Sequence, residues 1–143
     1  GGLHETLARL DLSGAFADDV GVVIDAVVAQ HDDVDHLSRL DFAGGSVWVS
    51  RCVETLGQHI RFRIQASDVS LAMHKAEESS FLNLLSGTVV GLTSANARGQ
   101  VLVKLDIGGT PLIARITDRS RKHLAIARGR PLWAQIKSVA LLR

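Results

Sequence analysis

Two hydroxyl residues three apart, Thr117 and Ser120, open the segment TDRSRKHLA (117–125). Periodicity predicts a helix there, with Thr117 or Asp118 as its cap and Gly129 and Pro131 after its end. At such a helix start the hydroxyls and the free backbone N–H groups point the same way, which suits an anion. Capping explains the same pair without any ligand. Lys137 and Ser138 add an ammonium and a hydroxyl near the end of the chain, and Ser80 adds a third hydroxyl. Taken singly, Lys137 reads as a solvated strand lysine and Ser80 as a turn residue. A buried dianion needs many such donors, because a charge stripped of water without them is prohibitively costly. The stretch HDDVDH (31–36) invites a metal reading, but its spacing is not distinctive and a polar hairpin loop accounts for it. Six scattered histidines and the single Cys52 form no nucleophile arrangement and permit no internal disulfide.

The elements that must hold these groups read as short strands. GVVIDAVVA (21–29) is rich in β-branched residues. LSRLDF (37–42) and SVWVSR (46–51) alternate on either side of Gly44-Gly45, and HIRFRIQA (59–66) sets Ile60, Phe62 and Ile64 opposite Arg61 and Arg63. GTVVGL (87–92), QVLVKLDI (100–107) and PLIARI (111–116) follow the same rule, and WAQIKSVALL (133–142) reads as one closing strand. Leu3, Leu7 and Leu10 fall at helical spacing, so residues 3–12 read as a short helix. Trp48 and Trp133 occupy strand positions and read as core or interface side chains.

The pattern repeats. LDFAGGSVWVSR (40–51) is similar to LDIGGTPLIAR (105–115), and GQHIRFRIQASDVSLA (57–72) to GRPLWAQIKSVALL (129–142). The chain therefore reads as all-β with one or two short helices, folded as two tandem OB-like β-barrels of about five strands each. The expected division is a helical linker over 1–17, a divergent first barrel over 18–76 and a second barrel over 77–143. A single sandwich of two Greek keys is the competing topology.

Composition sets the class. Of 143 residues, 46% are hydrophobic and 22% charged, which suits a globular domain. No apolar run reaches the roughly 20 residues of a membrane span, and the start lacks the pattern of a signal peptide. The net charge of +1 hides an asymmetry: residues 1–76 carry 6 basic and 11 acidic side chains, residues 77–143 carry 10 and 4. That split fits an anionic partner for the second half, or mutual attraction of the halves. No phosphate-loop or dinucleotide fingerprint is present, so the chain is not expected to act as an enzyme.

Four blocks of the second half resemble a Mop (molbindin) domain, a small OB-like barrel that binds molybdate and tungstate. They are SSFLNLLSGTVVGL (79–92), GGTPLIARIT (108–117), TDRSRKHL (117–124) and WAQIKSVALL (133–142). GGSVWV (44–49) and RIQASDVSL (63–71) resemble the first repeat of the same tandem in the TOBE-type C-terminal region of molybdate ABC transporter ATP-binding subunits, and LARLDL (7–12) resembles the segment joining it to the ATPase domain. The resemblance implies a regulatory domain that binds molybdate or tungstate as ligand, without a cofactor, through Ser80, Thr117, Ser120, Lys137 and Ser138, with Asn83, Arg119 and Arg121 as auxiliaries. It also implies a homodimer with the site across the subunit interface. The ATPase domain of the same subunit and, indirectly, the membrane permease would be partners. The place would be cytoplasmic, at the inner face of the membrane, and the effect feedback inhibition of transport. Leu82 stands where many Mop domains carry an arginine. Arg119 or Arg121 of a neighbouring subunit would then restore the charge. Two other functions compete. One is a structural dimerisation module without ligand, motivated by Leu82. The other is an oligonucleotide-binding OB fold, disfavoured by 4% aromatics and no tyrosine, so no nucleic-acid partner is expected.

Overall fold

A computed structural model describes residues 8–11, 20–75, 83–94 and 99–142. The fold is all-β, as expected. Its strands are β1 (Ala8–Asp11), β2 (Gly21–Asp32), β3 (Leu37–Phe42), β4 (Gly45–Ser50), β5 (His59–Gln65), β6 (Val69–Ala72), β7 (Asn83–Ser94), β8 (Gln100–Ile107), β9 (Thr110–Thr117), β10 (Pro131–Ile136) and β11 (Ala140–Leu142). Among the described residues one α-helix, α1 (Asp118–His123), follows β9, and a 3-10 turn (Ala66–Asp68) separates β5 from β6.

Alternation of side chains explains the strands. In β5, Ile60, Phe62 and Ile64 are buried while His59 and Arg61 face water. In β2, Val22, Ile24, Ala26 and Val28 go inward. The strands form two sheets of OB-like barrels. The first runs β11-β5-β2-β3-β4, with β1 also on β2, and the second runs β6-β10-β7-β8-β9. The end strands of the second order, β6 and β9, lie against each other.

Sheet membership does not follow the chain. β6, from the first half, pairs with β10 over Val69–Ala72 and Trp133–Ile136. In return β11, from the second half, pairs with β5 over Ala140–Leu142 and Arg61–Arg63. Each barrel thus borrows its last strand from the other repeat. The breaks that allow this, residues 66–68 and 137–139, meet where the Lys137 amide donates to the Asp68 carbonyl at 2.8 Å.

Two expectations fail. The single closing strand over 133–142 is two strands, because the chain must leave one sheet and join the other. Of the helix expected over 3–12, residues 8–11 are a strand, antiparallel to Gly21–Ile24 of β2. An isolated helix of that length is marginal, and a waiting strand edge outbids it. The remaining helix positions lie outside the described residues.

The two β-hairpin turns, Ala43-Gly44 and Gly108-Gly109, touch backbone to backbone. A Cβ on Gly44 would sit 1.8 Å from the Ile107 carbonyl oxygen, and one on Gly108 would sit 2.6 Å from the Gly44 Cα. Gly44 also has φ +101°, a region that side chains disfavour. The Thr110 hydroxyl donates to the Ala43 carbonyl across the same contact. Buried side chains from both barrels, Phe62 and Val47 on one side and Leu105 and Ile136 on the other, form one continuous core.

Candidate functional site

Thr117 ends β9 in an extended conformation and caps α1. Its Oγ1 accepts from the Ser120 amide at 3.0 Å and donates to the Ser120 Oγ at 2.9 Å. Helix and hydroxyls are positioned together because the Asp118 amide donates to the Gly99 carbonyl at the mouth of the β8–β9 hairpin. Asp118 would oppose an anion here, but Arg121 Nε lies 2.7 Å and Lys122 Nζ 3.2 Å from its carboxylate. The hydrogen bond from Arg121, then that from Lys122, holds the Asp118 carboxyl below the usual carboxylate range. Arg121 is therefore committed. Arg119 is exposed and makes no ion pair among the described residues.

Lys137 and Ser138 lie in the break between β10 and β11 rather than within a strand, and both are exposed. The Lys137 ammonium has no ion pair among the described residues. Asn83 sits nearby, since β7 and β10 pair Asn83 with Ile136. It is buried, and its amide is spoken for: Oδ1 accepts from the Trp48 amide at 2.6 Å, and Nδ2 donates to the Trp48 carbonyl at 2.9 Å. The side chain thus stands in for a strand neighbour along the edge of β4 and ties the second sheet to the first. Ser80 and Leu82 lie outside the described residues.

Within one chain these groups form two clusters. Asn83 and Lys137 mark one end of β7; Thr117 faces Gln100, whose neighbour Val101 pairs with Ser94 at the other end. β7 is twelve residues long, a reach along the strand of up to about 35 Å. No hydrogen bond or ion pair among the described residues joins Thr117 or Ser120 to Lys137 or Ser138.

The HDDVDH stretch closes on itself. Asp32 Oδ1 accepts from the amides of Val34 and Asp35, forming the turn. Asp33 pairs with Arg51 at 2.9 Å, and the hydrogen bond from Arg51 lowers its pKa. His31 reaches the Ser38 hydroxyl at 2.7 Å and the Glu54 carbonyl at 2.8 Å, while Ser38 Oγ accepts from the Cys52 amide. Nothing in the spacing announced this network. Nor did the sequence announce Lys75, whose Nζ lies 5.4 Å from the centroid of the Trp133 ring.

The TOBE domain family matches residues 79–142. The chain is 55% identical to the molybdenum import ATP-binding protein ModC 1 of Azotobacter vinelandii over 99% of its own length, and 49% identical to the corresponding protein of Methylococcus capsulatus. It spans only 39% and 40% of those two relatives. Among solved structures, the cytoplasmic molybdate-binding protein ModG, with molybdate bound, shares the fold at a TM-score of 0.65 and 22% identity, over 84% of this chain and 92% of that one. Residues 79–142 thus match the TOBE domain family, within a chain similar along nearly its whole length to part of the molybdenum import ATP-binding proteins.

Proposed function

We propose that the chain is the oxyanion-sensing regulatory region of the ATP-binding subunit of a molybdate importer. The observation that carries this is the 55% identity running over 99% of the chain to a molybdenum import ATP-binding protein. The fold shared with a molybdate-bound protein adds support. In this reading the region is a cytoplasmic binding module at the inner membrane face, not a catalyst. Its partners are the ATPase domain of its own subunit and, through it, the permease. Residues 77–143 carry the anion site and residues 18–76 form its divergent counterpart.

The ligand is molybdate or tungstate, held by Ser80, Thr117, Ser120, Lys137 and Ser138. No hydrogen bond or ion pair among the described residues joins Thr117 or Ser120 to Lys137 within one chain, and a second copy that brought its helix to the first copy's break would unite the two clusters. In this reading the chain is a homodimer with the anion between subunits. An anion that binds one dimer arrangement better than another shifts the population toward it and thereby restrains transport.

Molybdate should raise the melting temperature of the chain with the concentration dependence of mass action. Lys137→Ala should weaken calorimetric molybdate binding by roughly 30- to several-thousand-fold, because one partner of a desolvated charge pair typically contributes about 2–5 kcal/mol. Thr117→Val should cost less, and Ser50→Ala should change nothing. A second reading, a dimerisation module without ligand, draws on Leu82 and on the mutual bond of Thr117 and Ser120. It predicts a chain that dimerises in light scattering but shows no melting shift and no heat with molybdate.

A further inference from the structure

We infer that the cleft beside α1 is the seat for a second copy of this chain, and that its occupant is the second copy's break between β10 and β11, residues 137–139. The inference rests on the reading of the chain as an oxyanion-binding homodimer and names the surfaces that meet in it.

The cleft, about 500 Å³, lies between α1 and the end of β7. Leu92, Val101, Ile126 and Ala127 give it an apolar lining, and Asp118, Arg121 and Arg128 give it charge. Asp118 and Arg121 directly follow Thr117 and Ser120 in the chain, so an occupant lies close to those two hydroxyls. Leu92 and Val90 are large apolar side chains left exposed on β7, and covering such surface favours association.

Charge selects the occupant. Asp118 is held by Arg121 and Lys122, while Arg128 is exposed and has no ion pair among the described residues. Residues 118–130 carry five basic side chains and one acidic one, so the cleft draws an acidic surface. The neighbouring residues 95–98 lie outside the described residues, and their one charge, Arg98, has the same sign. The break offers the match. The bond from the Lys137 amide to the Asp68 carbonyl sets these two residues side by side, and neither side chain has an ion pair among the described residues. Val139, half-buried, and Ala140, exposed, are small apolar side chains suited to the lining. Residues 76–82, which lead into Asn83, also lie outside the described residues, and their charges, Glu77 and Glu78, are of the sign the cleft attracts.

With the second copy's break in the cleft, Asp68 of that copy stands against Arg128. Lys137 and Ser138 then arrive beside Thr117 and Ser120, with the ammonium left for the anion. A two-fold pair makes this contact twice, each copy giving one cleft and one break. The cleft of the first barrel is a poor alternative, because its His59 and Arg61 share the wall with Asp25 and Glu54, and Asp25 stands directly opposite Arg61.

The test is a charge swap across the contact, read by light scattering over a range of protein concentrations, with molybdate calorimetry on the same samples. The parent should dimerise. Arg128→Glu and Asp68→Lys should each raise the dimer dissociation constant about tenfold or more, since each sets like charges together. The double variant restores opposite charges and should dimerise nearly as the parent does. Melting temperatures close to the parent's show that the variants are folded. If either single variant dimerises as the parent does, or the double variant is weaker than both singles, the cleft is not the seat of the break. A parent that stays monomeric at high concentration with molybdate overturns the inference as well, while heat on titration keeps the oxyanion reading. If the swap behaves as expected but molybdate gives no heat, the two surfaces stand and the oxyanion reading fails.

Discussion

The first barrel and the second are built on the same backbone plan and differ where side chains could meet a ligand. The long strands β2 and β7 carry irregularities at matching places, between Val28 and Gln30 and between Val89 and Gly91. Beside each, a glycine amide closes the turn: Gly57 donates to Val28 at 2.8 Å and Gly129 to Val89 at 2.7 Å. The differences lie in two connections. After β4 the first barrel has a loop pinned by Arg51–Asp33 and by His31, whereas after β9 the second has the capped helix α1. At the closing break the second barrel has Lys137-Ser138, and the matching positions of the first hold Gln65-Ala66, followed by Asp68. Backbone pairing has kept the scaffold common to both repeats, and the residues proposed for the anion lie in one.

The contact between the hairpin turns tests how far the two halves depend on each other. Gly44→Ala places a Cβ against the Ile107 carbonyl at a positive φ, so it should destabilise the chain by about 3 kcal/mol or more in urea unfolding. Gly129→Ala has φ +92° but nothing within 4 Å of its Cβ, and should cost only about 1–2 kcal/mol. Equal losses would show that the turn contact contributes nothing beyond backbone conformation. A smaller effect is expected at Asn83, whose counterpart two residues into β2 is the buried Val22. Asn83→Val makes the second barrel resemble the first and leaves the Trp48 N–H and C=O without their partner. The expected loss is about 1–3 kcal/mol, with faster amide exchange at Trp48.

The smallest effect concerns Asp33 in the first barrel and Asp118 in the second. Both pKa values are lowered in the folded chain, chiefly by the hydrogen bonds from Arg51 and Arg121 respectively. Their contribution is present above the ordinary carboxylate pKa of about 4 and is lost as pH falls through and below it. Both groups are solvent-exposed, so Asp33→Asn with Asp118→Asn should only slightly flatten the acid side of the melting-temperature profile. An unchanged profile would assign acid sensitivity to other carboxylates.

Much of this was legible from residue order. The alternation of Ile60, Phe62 and Ile64 announced β5 and its buried face, and the boundaries of β3 and β8 follow directly from LSRLDF and QVLVKLDI. The Thr117–Ser120 spacing announced the cap of α1. Pairing partners were not legible. Alternation gives the face of a strand but not its neighbour, so the exchange of β6 and β11 and the split at 137–139 were hidden. Leu3, Leu7 and Leu10 satisfied a helical period while residues 8–11 joined β2, because a strand edge decides such short segments. Lys75 gave no signal either, since its relation to Trp133 and Asn83 is purely spatial.

The borrowed closing strands also govern how this region is made. During synthesis the residues of β1 to β5 leave the ribosome first, yet the sheet they form stays incomplete until Ala140–Leu142 follow. The early half must wait for the late one, with an edge of β5 open to any other strand in the meantime. The two barrels therefore mature as a single folding unit, with long-range pairing that slows the process. Releasing the chain after residue 139 should leave a product in which neither repeat can be completed by its own residues.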